Sequence, residues 1–401
     1  MAETGFPGLL RPEDAVPSGR GDTNVIEARN TGVLPYQRLK LMVQSRAINS
    51  IRDIEQDQIQ PASVDLRLGR YAYRVRASFL PGSNATILER IKELGGEPAI
   101  DLESGATLEK GAIYVVELQE SVRLNADIAG VANPKSSTGR LDVLTRLITD
   151  QGTAFDRIDK GYRGKLYLEI APLSFPIVVR PGVRLNQVRF QAERGTVGGI
   201  FPQVQVAKLY EAGQLVRGQG PRLPLRDGVL VPVTVDLEGS GKGAIVGYKA
   251  KKNTNRIDIE LINHYDPTEF WEKIVSTNGR LNLDEGDFYI LATREEVCVP
   301  KQTAAEMVPY DTRSGEFRVH YAGFFDPGFG WGEDGAGGSR AVLEVRSYGV
   351  SFTLEHGQII GWLRYAPIAG GFTDKLYGKD VISNYQGQGV ALAKQFKRWP
   401  A

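Results

Sequence analysis

Apolar and polar residues alternate with a period of two along much of this chain. In "GYRGKLYLEI" (161–170), Leu166, Leu168 and Ile170 fall on one side, and Tyr167 and Glu169 on the other. That period belongs to a strand with one buried face. "ASVDLRLG", "AIYVVEL", "FPIVVR" and "VRLNQVRF" are similar short apolar stretches, punctuated by glycine and proline. Helical periodicity is scarce; "TILERIKELG" (86–95) and "TEFWEKIVS" (268–276) are the segments that predict helices. The pattern therefore predicts an all-β fold with few short helices. Residues 1–34 read as an extended or poorly ordered arm.

The strand pattern repeats. With Tyr114 laid on Tyr289, an offset of 175, "YVVELQESVRL" faces "YILATREEVCV", and Glu120 falls on Glu295. The same offset puts "LEIAPLSFPIVVRPGVRLNQVRF" (168–190) on "LEVRSYGVSFTLEHGQIIGWLRY" (343–365), with Glu169 on Glu344. Between these blocks "FDRIDKGYRG" resembles "FFDPGFGWG" at an offset of 167. A recurring offset over separated blocks predicts two related β domains, 35–205 and 225–375. "GQLVRGQGPRLPLRDG" joins them, and 376–401 forms a C-terminal tail.

Composition narrows the function classes. The chain has 401 residues, 41% of them hydrophobic, enough for two packed cores. A net charge of +1 gives no field for a nucleic acid polymer or an anionic membrane, so an anionic ligand needs a local basic cluster. No apolar run approaches the roughly 20 residues of a membrane helix, and the N-terminal stretch has no signal-peptide core. Cys298 is the sole cysteine, so no internal disulfide can form, and a cytoplasmic protein is expected. The histidines are His264, His320 and His356, and neither H-x-E nor P-C-x-x-C occurs. Zinc-dependent deaminase chemistry is thereby excluded, and no zinc is expected.

Four stretches could carry chemistry. "VANPKSSTGR" (131–140) gathers Lys135, Ser136, Ser137 and Arg140, cations and hydroxyls suited to phosphate oxygens. Its plainer reading is a serine-capped surface helix. "AFDRIDKGYRG" (154–164) crowds Arg157 and Asp159 into one turn, and a solvated turn would do the same. Glu169 is either a wet-face carboxylate or a working acid. "SNYQGQG" (383–389) is either a flexible terminus or a lid whose amides and tyrosine close over a ligand.

Taken in order, these stretches resemble the dCTP deaminase and trimeric dUTPase superfamily. "PASVDLRLG" looks like its early strand, "KSSTGR" like its phosphate-contacting "RSSLAR", and "DRIDKGYRGKLYLEI" like its "HRIDPGWSG...LEF" turn and strand. "RPGVRLNQVRF" looks like "RPGMRIGQLVF", and "NYQGQG" like the terminal "KYQGQ". The nearest resemblance is to double-length bacterial dCTP deaminases. It implies two tandem dUTPase-like domains of distorted jelly-roll or β-barrel form. It also implies hydrolysis of dCTP to dUTP and ammonia, on the route that supplies dUMP for dTTP synthesis.

Residue by residue, Glu169 matches the general acid/base carboxylate and Ser136 the hydroxyl that orients water and base. Lys135, Ser137, Arg140 and Arg157 match the residues that hold the triphosphate, and Asp159 sits in the family turn. Gln187 matches an amide near sugar and base, and Tyr385, Gln386 and Gln388 match the closing tail. Mg²⁺ is implied only as a rider on the substrate triphosphate, with no protein metal ligands. A homo-oligomer, trimer or dimer, is expected.

Two departures stand out. Arg146, counted back from Asp159, competes with Arg140 as the phosphate arginine. The second copy keeps Glu344, Asp326 and Arg313 but has "MVPYDTRSG" and no Ser-Ser before its turn. The second domain is therefore expected to be catalytically degenerate and to complete the first copy's site. A dUTP diphosphatase or bifunctional enzyme, with Asp159 activating water, is the rival reading, and a non-catalytic nucleotide-binding module the third.

Overall fold

The computed structural model describes residues 31–96, 98–193, 203–218, 222–308, 317–320, 323–332, 337–381 and 389–399, with backbone alone for 317–320. Two antiparallel barrel-like domains follow one another. In the first, the strands run Val143–Thr149, Arg163–Pro172, Ile113–Arg123, Val64–Val75, Arg184–Ala192, Ile128–Pro134 and Arg157–Ile158 across one sheet. In the second, Ile245–Ala250, Phe288–Val297, Ser339–Ser347 and Phe317–His320 lie in order in one sheet. Leu230–Thr234, Ile359–Pro367 and Thr303–Val308 lie in the facing one.

The internal repeat is a structural repeat in register. Glu169 lies opposite Val115, and Glu344 lies opposite Ile290, its counterpart. Glu120 accepts the Arg67 N–H at 2.7 Å, and Glu295 accepts the Thr234 N–H at 2.7 Å. Each glutamate thus satisfies a backbone donor of a neighbouring strand, Glu120 from a buried position and Glu295 from a half-buried one; a buried orphan donor would cost about 1–3 kcal/mol. The tyrosine hydroxyls repeat too: Tyr114 accepts from Glu109 N at 3.0 Å and Tyr289 from Asp284 N at 2.9 Å.

One expected helix forms and one is overridden. Ile87–Glu93 is helical, with Thr86 and Glu89 closing a capping box. The segment 268–276 is different: a single helical turn, Pro267–Phe270, runs into the strand Trp271–Val275. That strand pairs with Ile245–Ala250. Phe270 and Trp271 are buried in adjacent aromatic contacts, with Phe175 5.8 Å and 5.3 Å away. Burying two consecutive large rings suits the turn-to-strand junction better than one stripe of a helix. Helices Tyr36–Gln44 and Gln203–Glu211 complete the longer helical elements.

The domains share a core. Leu168, Ile170 and Phe175 of the first pack in one cluster with Tyr248, Ile257, Trp271 and Phe288 of the second. Ile177–Val179 and Ile257–Asp258 pair in parallel across the boundary. Two buried arginines pin it. Arg189 donates to Ala305 O and Asp326 Oδ1, both at 3.0 Å, and stacks on Phe324 at 4.1 Å. Arg346 bridges back to Asp142 and Ser174.

The ends of the described chain join this body. Gly32–Val33, the close of the expected arm, pairs with Gln191 and Ala192. Within the C-terminal tail, Ala393, Gln395 and Phe396 are buried, and Trp399 stacks on Tyr248 at 5.2 Å. No helix among the described residues is long and apolar enough to cross a membrane.

Candidate functional site

The chain folds the "KSSTGR" stretch back at the end of the strand Ile128–Pro134. Pro134 closes that strand, and Ser136–Gly139 makes one helical turn whose Thr138 hydroxyl donates to Leu185 O at 2.8 Å. This bond ties the turn to Arg184–Ala192, the strand that carries Gln187. Lys135, Ser136, Ser137, Arg140 and Gln187 consequently line one cavity of about 810 Å³. The volume lies within the roughly 300–1,000 Å³ of small-molecule sites.

The cavity is interdomain. Its opposite wall comes from the second domain: Phe324, Phe325 and Asp326 at the turn, then Ala341, Val342 and Glu344 on the strand Ser339–Ser347. Glu344 is buried, and no side chain among the described residues hydrogen-bonds its carboxylate. Burial pushes this carboxyl up to about 8; the positive charge of Arg140 opposes the shift and the negative charge of Asp142 adds to it. A carboxyl poised near neutrality can both take and return a proton.

Elsewhere on the wall, cations are paired with carboxylates. Lys135 pairs with buried Asp65, and Arg184 donates to Asp57 at 3.0 Å. Lys394, from the C-terminal segment, lies on the same wall. Burial, then repulsion from Lys135, lowers its pKa. A lysine held this close to other cations favours a polyanionic ligand. Arg140 is buried and donates to Ala391 O at 3.1 Å, so the C-terminal segment also fixes the arginine.

The residues singled out in the sequence divide between two places. Ser136, Lys135, Ser137, Arg140 and Gln187 meet at the cavity; Glu169, Arg157 and Asp159 are not on its wall. Glu169 is 1% exposed and accepts from Arg146 Nε at 2.8 Å. Arg146 lies over Phe155 at 3.8 Å and donates to Ser78 at 2.6 Å. Of the two competing arginines, Arg140 thus faces the cavity while Arg146 is bound to Glu169. Nearby Asp156 accepts the Leu147 N–H at 2.8 Å, and burial pushes its carboxyl up to about 7. Arg157 and Asp159 form a surface pair at 2.8 Å, with side chains 66% and 63% exposed. Tyr385, Gln386, Gln388 and Arg313 lie outside the described residues, although Val381 and Lys394, on either side of the tail motif, line the cavity.

Sequence reasoning missed Arg184, Lys394 and the placement of Asp326 and Glu344. The last two were visible as repeat partners of Asp159 and Glu169; nothing in a repeat says which copy faces which ligand.

Known proteins resemble this chain over both halves. Residues 30–194 match the family model of the 2'-deoxycytidine 5'-triphosphate deaminase N-terminal domain, and 202–396 match that of its C-terminal domain. A dCTP deaminase of Shewanella amazonensis is 30% identical over 169 residues, 40% of this chain and 83% of the relative. A "dCTP deaminase, dUMP-forming" of Beutenbergia cavernae is 30% identical over 138 residues, 33% of this chain and 65% of the relative. The crystal structure of 2'-deoxycytidine 5'-triphosphate deaminase from Agrobacterium tumefaciens superposes with a TM-score of 0.78 at 46% identity. That match covers 84% of this chain and 99% of the other. With both halves matched in order and a solved relative aligned along nearly its whole length, the chain belongs to the 2'-deoxycytidine 5'-triphosphate deaminase family.

Proposed function

We propose that this protein hydrolyses dCTP to dUTP and ammonia in the interdomain cavity. The observation that carries the reading is the meeting, in one cavity, of a serine-and-cation cluster from one domain with a buried carboxylate from the other. In this reading the triphosphate, entering with its Mg²⁺ as part of the substrate, lies toward Lys135, Arg184 and Lys394. The base lies toward Ser136, Gln187 and the carboxylate. A carboxylate takes a proton from water as the water oxygen bonds to C4. The C4–N bond then breaks, one water proton ends on N3 and the other leaves with nitrogen as ammonia. No electrons are exchanged, so one acid/base group suffices. Chains assemble as homo-oligomers in this reading, and Tyr385, Gln386 and Gln388 close over the nucleotide.

The test is product analysis on the purified chain with dCTP and Mg²⁺, then with dUTP, following ammonia, pyrophosphate and nucleotide identity. Ammonia and dUTP from dCTP, with dUTP itself unchanged, is the expected result. Absence of ammonia would overturn the reading. The dUMP-forming relative gives pyrophosphate release a specific meaning: its appearance with dUMP would make this a bifunctional enzyme.

A further inference from the structure

We infer that the working carboxylate of the cavity is Glu344 of the second domain, and that Glu169 is a structural partner of Arg146. The inference rests on the deaminase reading and specifies which copy of the repeat performs it.

The first ground is placement. Glu344 shares a wall-lined space with Ser136, Ser137 and Arg140, whereas Glu169 does not. The two glutamates hold the same register position, so the difference comes from how the domains dock and not from the strands themselves.

The second ground is the state of each carboxylate. Glu169 gives one oxygen to the Arg146 guanidinium, and its Oε2 is buried with no partner. The arginine that binds Glu169 is itself held by Phe155 and Ser78. Glu344 has no such competitor among the described side chains, and Arg140 acts on it through charge. The residue opposite also changes: Arg146 pairs across the sheet with Glu169, His320 with Glu344.

The third ground is that a second pair of counterparts divides the same way. Asp159 sits on the surface in a pair with Arg157, while Asp326 is buried on the cavity wall and bound by Arg189. The turn and the carboxylate strand therefore come from the second repeat, the serine cluster and Gln187 from the first. Each repeat supplies one half of the site, which accounts for a second copy that keeps its glutamate and has no Ser-Ser.

The experiment compares Glu344→Gln and Glu169→Gln in the full chain. It measures ammonia release from dCTP, dCTP affinity by calorimetry and the melting temperature. Glu344→Gln should bind dCTP within several-fold of the parent, melt as a folded protein and lose roughly 10²–10⁴-fold in kcat. Glu169→Gln should keep kcat within about tenfold. Retention of more than about a hundredth of the rate by Glu344→Gln overturns the inference. So does a loss in Glu169→Gln as deep as that in Glu344→Gln with the fold intact. A parent chain that binds dCTP but releases no ammonia would instead sink the deaminase reading itself, and this assignment with it.

Discussion

Glu169 and Glu344 occupy one register position in two copies of the same strand, opposite Val115 and Ile290. Both are buried. Around Glu169 a guanidinium, clamped over Phe155, occupies one carboxylate oxygen. Around Glu344 the described side chains leave the carboxylate open to a cavity, and burial raises its proton affinity. A strand thus specifies where a carboxylate stands; its neighbours across the sheet and across the domain boundary decide whether it bonds or works. If the inferred division of labour holds, one copy's carboxylate serves the fold while the other copy's serves the cavity.

The comparison depends on the docking, so the docking is the first thing to break. Arg189 is fully buried at the boundary, and Arg189→Met leaves Asp326 buried without its cation. Such a loss costs about 3–5 kcal/mol, read as a shift in urea unfolding of the full chain. Burial already raises the Asp326 carboxyl above its usual range, and Arg189 pulls it down. Removing Arg189 raises it further. A carboxyl raised in the folded state costs stability as pH rises through its folded pKa, so the deficit should shrink as pH falls toward 4. Turnover should fall with docking, because the cavity's halves separate. A deficit under about 1 kcal/mol would mean that the shared core alone sets the arrangement.

The next effect is on pH dependence. Glu344 faces Arg140 and Asp142 from the first domain, lies opposite His320 and Ile290 on its flanking strands, and has Arg346 two residues along its own strand. Acting first as a base, it must be ionised in the free enzyme. Hence kcat/KM should rise with pH and level off above about 8. Arg140→Gln removes a charge that lowers this pKa, so the rising limb should move to higher pH. An unshifted limb in Arg140→Gln, or one that vanishes in Glu169→Gln, would transfer the titration to another group.

Much of this was legible in the chain and some was not, for physical reasons. Period-two alternation exposes strands because their two faces meet different surroundings, and the 175-residue offset survives in the registers of Glu169 and Glu344. The expectation of one buried face fails on Arg163–Pro172, where Tyr167 and Glu169 are buried along with Leu166, Leu168 and Ile170 because a second cluster covers Tyr167. The segment 268–276 looked helical because its apolar spacing fits both periods; buried Phe270 and Trp271 and a waiting edge strand decide for β. Arg140 and Arg146 could not be ranked from spacing, since what separates them is contact, Arg140 with Ala391 O and Arg146 with Glu169. The missing Ser-Ser of the second copy let the sequence suggest that this domain completes the first copy's site, and Asp326 and Glu344 do line the cavity with Ser136; which of the two glutamates faces it is what a linear reading leaves open. "KSSTGR" and Glu169 are near in sequence, but proximity in sequence does not determine which copy of a strand faces a cavity.

The smallest expected effect tests the turn aspartates. Asp159 and Arg157 form an exposed pair on the first domain's turn. Exposed pairs contribute about 0–1 kcal/mol. Asp159→Asn should therefore shift unfolding by less than about 1 kcal/mol and leave kcat/KM for dCTP within a few-fold of the parent. Asp326, its counterpart, is bound by Arg189 on the cavity wall, and Asp326→Asn should disturb both stability and turnover. If Asp159→Asn instead cut turnover tenfold or more without loss of stability, Asp159 would have to enter a site built with another chain. The contrast between the repeats would then describe half of an assembly, with the first domain's turn and Glu169 facing a neighbouring molecule's serine cluster.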